Sequence, residues 1–128
     1  MRRASTSSST SAATRPAAVD ARNDVVLVGR VAAVPAERTL PSGDSIMSAR
    51  VIVDRDASAQ QRSSQRVDTI DCVAWTARVQ RSMRAWAAGD LVEVAGSIRR
   101  RFFRGATGPV SRVEVEVKQT KRVKTVHR

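Results

Sequence analysis

One histidine and one cysteine leave this chain little material for catalysis. His127 sits beside the C-terminal residue, and Cys72 has no histidine near it in sequence. A Cys/His nucleophile pair and a tetrahedral metal site both lack parts, so no enzyme activity, cofactor or metal is expected. The lone cysteine also excludes an intrachain disulfide and fits a reducing compartment. Aromatic residues make up 3% of the 128 residues, two Trp and two Phe with no Tyr, so the position of each ring carries weight. No apolar run approaches the ~20 residues a membrane helix needs. The opening MRRASTSSSTSAATRPAA has arginine but no apolar centre, so neither a secretory signal nor an amphipathic targeting helix is expected. The expected location is cytoplasmic.

What the chain does have is positive charge. The net charge is +11, and most of the excess lies at the ends: +3 in residues 1–22 and +5 in residues 118–128, against +3 in the long middle. Basic ends attract any polyanion without sequence preference. Residues 1–22 are a Ser/Thr/Ala tract with nothing to build a core, and are expected to be a disordered basic extension. The folded domain is expected over 23–118, with 119–128 a frayed basic tail whose removal lowers affinity and salt dependence together.

Within the middle, Val25–Val34 is a valine-rich strand in which Gly29 suggests a bulge or sharp bend. Pro35–Asp44 reads as a turn region. Ser45–Asp54 alternates as a second strand, with Arg50 and Ile52 on one face. Arg55–Arg66 is polar and reads as a long hairpin loop. Val67–Trp75 is a third strand. Val79, Met83 and Trp86 then recur at helical spacing, with Thr76 as cap and Gly89 as stop, so Trp86 is expected in the core. Leu91–Phe103 is a fourth strand, Arg104–Pro109 a turn, and Val113–Val117 a fifth strand whose Glu114 and Glu116 form a solvated face. Three strands, a helix and two strands predict an all-β, five-stranded Greek-key barrel of the OB type, with one α-helix between strands 3 and 4.

The stretch LVEVAGSIRRRFFRG, Leu91–Gly105, carries the most chemistry. Alternation puts Arg99, Arg101 and Phe103 on one face. Guanidinium groups suit phosphates, and a ring offers a stacking platform; a solvated basic edge strand would read the same way. In VDTIDCVAW, Ile70, Cys72 and Ala74 share one face and Asp71, Val73 and Trp75 the other. Trp75 then lies on the outer surface, as a stacking ring or as a core or subunit-interface residue. Arg50 and Arg104 are further candidate cations.

Taken together, NDVVLVGRV, PAERTLPSG, CVAW and GDLVEVAGSIRRRFF resemble the bacterial single-stranded DNA-binding protein family, over about residues 23–118. The resemblance implies an OB-fold homotetramer that coats single strands in replication, recombination or repair without sequence preference. It sets Trp75 and Phe103 at stacking positions and Arg99 and Arg101 at basic ones. RNA remains open as a partner, because its bases stack alike. Departures point to a tail-less or paralogous member with weaker binding. Ala57 and Thr69 stand about where many members carry tryptophan, Asp71 stands where a base is common, and VKTVHR replaces an acidic partner-recruiting tip. The competing reading is an OB-fold accessory module of a replication or conjugation system with weak nucleic-acid binding.

Overall fold

The computed structural model describes residues 20–125; residues 1–19, most of the expected N-terminal extension, and residues 126–128, including His127, lie outside them. The described elements are β1 (Val25–Val31), β2 (Ala36–Thr39), β3 (Ser45–Asp54), α1 (Ala57–Arg62), β4 (Val67–Ala74), α2 (Ala77–Arg84), β5 (Leu91–Gly105) and β6 (Gly108–Lys124). Antiparallel ladders join β1 to β5, β5 to β6, β3 to β4 and β1 to β3, and a short parallel contact joins β4 to β6. These five strands close on themselves as an OB barrel, with α2 between β4 and β5. The expected architecture holds; β2 is an added edge strand on β3.

Alternation fills the barrel. Val31, Val51, Cys72, Val92, Val94, Val115 and Val117 point inward, and Met83 and Trp86 close one end from the helix side. Thr76 caps α2 by accepting from the Val79 amide. The helix stops at Arg84, short of Gly89, yet Trp86 beyond it is still only 4% exposed. Two glycines sit where strands cross closely. A Cβ on Gly29 would strike the Ile52 carbonyl, and one on Gly96 the Glu116 carbonyl, so both strands need the missing side chain to close the barrel.

Three segments differ from the sequence expectation. Ala36–Thr39, read as turn, pairs with Ser45–Ser48, and all four residues are exposed. With no buried face there is no apolar period to read. Polar links hold it instead, as Glu37 accepts from the Ser45 hydroxyl at 2.9 Å and from Arg84 at 3.2 Å. The Arg55–Arg66 loop contains α1, capped by Asp56 at 2.8 Å from the Ala59 amide, and its base is clamped by Arg55 on Asp68 at 2.9 Å. The segment from Gln119 on is not a frayed end as far as Lys124: it continues β6, with Thr120 opposite Val94 and Arg122 opposite Val92. Arg122 also reaches the Ala85 carbonyl and, at 3.7 Å, the buried Asp90 carboxylate. Tertiary pairing orders a sequence whose charge alone suggests solvent.

Candidate nucleic-acid interface

β5 and β6 run 15 and 17 residues and form a hairpin far longer than the barrel's other ladders. Beyond Glu114, toward the tip, β6 is paired to β5 alone. Strict register lays the side chains out. Arg99 stands opposite Glu114, Arg101 opposite Arg112, and Phe103 opposite Val110. These residues share one face of the hairpin. Next to them, Val73 of β4 pairs with Glu116, and Asp71 stands opposite Arg50 on β3. Trp75 stands one residue past the end of β4, and the alternation of that strand, carried one residue further, puts it on the same side. The barrel thus gathers Trp75, Phe103, Arg99, Arg101 and Arg50 onto one outer surface.

Trp75 is 42% exposed and stands outside the core cluster that holds Trp86. Phe103 is equally exposed, and the Arg112 guanidinium lies 5.4 Å from its ring centroid, a cation–π contact that occupies one ring face. Arg104 is not part of this surface. It pairs with Pro109 at the hairpin tip, and alternation puts it with Arg100 and Phe102 on the opposite face.

Arg99, Arg50 and Arg101 each have an acid beside them. Arg99 Nε donates to Glu116 Oε1 at 2.8 Å, Arg50 Nε to Asp71 Oδ1 at 3.3 Å, and Arg101 Nη1 lies 3.8 Å from Glu114 Oε2. The first two pairs are well hydrated, and exposed pairs of this kind contribute little stability. A phosphate can therefore displace the carboxylate at small cost, at the price of a weaker pull than bare cations exert.

Glu114 corrects the expectation of a solvated acidic face: it is only 4% exposed. Burial pushes its carboxyl above the usual range, against the opposing pull of Arg101, Arg112 and Arg38 and with a further push from Asp71. Between the ordinary glutamate pKa and this raised one, the folded state holds the proton more tightly than the unfolded state. Stability contributed by the neutral form is therefore lost as pH rises through that window. Glu114→Gln is expected to raise the melting temperature at pH 7. The advantage should vanish at a pH below the ordinary glutamate value, where both forms are neutral. An equal gain at pH 3 and pH 7 in thermal melts would contradict this.

Arg38, Arg112 and Glu114 were not legible as site residues. Arg112 could have been found had GATG been read as the tight turn it is, Gly105 pairing directly with Gly108, because the register then follows. Arg38 lies on β2, whose pairing leaves no sequence period. Cys72 is buried and its thiol is pushed up to about 12, chiefly by burial, which makes it a packing residue and not a thiolate nucleophile. Among the described residues no group of three or more His, Cys, Asp or Glu side chains could hold a metal ion, and no helix is long and apolar enough to cross a membrane.

Residues 22–124 match the single-strand binding protein family. Over 86 residues, 67% of this chain, the sequence is 30% identical to single-stranded DNA-binding protein 2 of Listeria innocua, and it spans about half (54%) of that relative's length. Among solved structures, the Plasmodium falciparum SSB in complex with ssDNA aligns with a TM-score of 0.64 and 18% identity, covering 79% of this chain and 92% of that one. That likeness is one of fold.

Proposed function

Because the chain belongs to the single-strand binding protein family, we propose that it coats single-stranded DNA without strict sequence specificity and protects it during replication, recombination or repair. It binds and performs no chemical step. The observation that carries this reading is the gathering of the half-exposed ring of Phe103 with Arg50, Arg99, Arg101 and Arg112 on one continuous sheet surface, with a second half-exposed ring, Trp75, one residue beyond β4. Rings stack on any base, and guanidinium groups hold the phosphates between them. A homo-oligomer, a tetramer on the family's pattern, is part of the proposal. β1 supports it: Val26 and Val28 are exposed, and β1 pairs with β3 only at Arg30 and Val31. The expected setting is the nucleoid of a bacterial cytoplasm.

The test is a titration with a poly-pyrimidine DNA strand at several salt concentrations, read by tryptophan fluorescence. Trp86 is buried, so quenching reports on Trp75. Log affinity should fall linearly with log salt at about 0.7 per neutralised phosphate, giving a slope of roughly 2–4 for the arginines of this surface. Salt-dependent binding without quenching would mean that cations hold the strand and Trp75 does not. No binding at low salt would remove the proposal.

A further inference from the structure

A cleft of about 210 Å³ opens on the proposed binding surface, lined by Arg38, Arg101, Phe103, Arg112 and Glu114. It contains one aromatic platform, three guanidinium groups and a single carboxylate. The carboxylate is the unusual part. Glu114 is only 4% exposed, and among the described residues its one ion-pair contact, Arg101, stands at 3.8 Å, outside hydrogen-bond range. A buried acceptor held this way calls for a donor from elsewhere. An ionised carboxylate can only accept.

We propose that this cleft takes a nucleobase carrying an exocyclic amino group, with Phe103 stacking the ring and Glu114 accepting from the amine, so that binding is biased toward cytosine over thymine. The inference rests on the strand-binding reading and adds base discrimination to it. Arg112 covers one face of Phe103, and the ring still keeps 42% of its surface exposed for a base to stack on. Carboxylates pair with the N4 amino group of cytosine, whereas thymine turns the O4 carbonyl to the same place, and two acceptors repel. Arg101, beside Glu114, can donate to the adjoining N3 of cytosine. Stacking and phosphate contacts serve every base alike, so the effect is a bias on general binding and not a recognition sequence.

Cytosine and thymine have the same ring size, so oligo(dC) and oligo(dT) of equal length hold stacking area and charge nearly constant. Their affinities are to be measured for the intact protein and for Glu114→Gln. The amide can donate to O4 as readily as it can accept from N4. The dC-to-dT affinity ratio of the intact protein is therefore expected to exceed that of the variant by about fivefold. A residue acting only on folding, or only as a negative charge near the strand, moves both affinities together and leaves the ratio alone. Good binding of both strands with the same ratio in both proteins overturns the inference while the strand-binding reading stands. Failure of the intact protein to bind either strand overturns both.

Discussion

Truncation after Lys118 is expected to destabilise the whole barrel, and not merely to trim its affinity for a polyanion. Residues 119–124 form the outer partner of β5 over Leu91–Ala95, with β1 on the other side. Val92 and Val94 in that stretch are fully buried. Removing the partner turns a central strand into an edge and strips several ladder hydrogen bonds, each contributing about 1 kcal/mol. It also removes Arg122 from Asp90, whose carboxylate is fully buried and accepts the Ala87 amide at 2.8 Å. Losing one partner of a buried charge costs up to about 3–5 kcal/mol. This pair is long, and its arginine side is a third open to water, so we expect about 1–2 kcal/mol from it. The truncation should then cost roughly 4–6 kcal/mol and lower the melting temperature by roughly 15 °C or more. Thermal melts followed by circular dichroism check this. An unchanged melting temperature with a shallower salt slope would restore the frayed-tail expectation for 119–124.

Replacing the two tryptophans by alanine is expected to have opposite consequences. Trp86→Ala should cost about 3–5 kcal/mol of folding stability, because a large ring leaves a cavity in a core that cannot collapse around it. Trp86 packs there with Val31, Met83 and Val92 in one cluster. Trp75→Ala should scarcely change the melt and should cost about 1–3 kcal/mol of strand binding, with the salt slope intact because no charge is lost. Phe103→Ala should behave like Trp75→Ala, with an added effect if Arg112 loses its place once the ring beneath it is gone. Arg99→Ala should reverse the pattern, reducing the slope and keeping the quenching of Trp75. Calorimetric melts and binding titrations on the same samples separate these outcomes, with binding read by the fluorescence anisotropy of a dye-labelled strand because Trp75→Ala removes the quenching probe. A Trp75→Ala protein that binds normally but melts far lower would make Trp75 a subunit-interface residue.

The sequence by itself determined the barrel and the position of its rings. Alternation in VDTIDCVAW separated the inward Cys72 and Ala74 from the outward Trp75, and a period near 3.6 placed Trp86 inside. Such patterns are legible because one face of each element is apolar and the other polar. The same alternation put Arg99, Arg101 and Phe103 together before any pairing was known. Where no face is buried the signal disappears. β2 and α1 are held by Glu37, Asp56 and Arg55 through polar links that leave no period. The tertiary structure alone decided the rest. Only the register of the hairpin set Arg112 over Phe103, and only closure of the barrel buried Glu114. Only the long β5–β6 ladder drew the basic segment 119–124 into the fold. A charge on a strand is read from its own letter, but whether it faces water, a ring or another charge depends on which strand lies beside it.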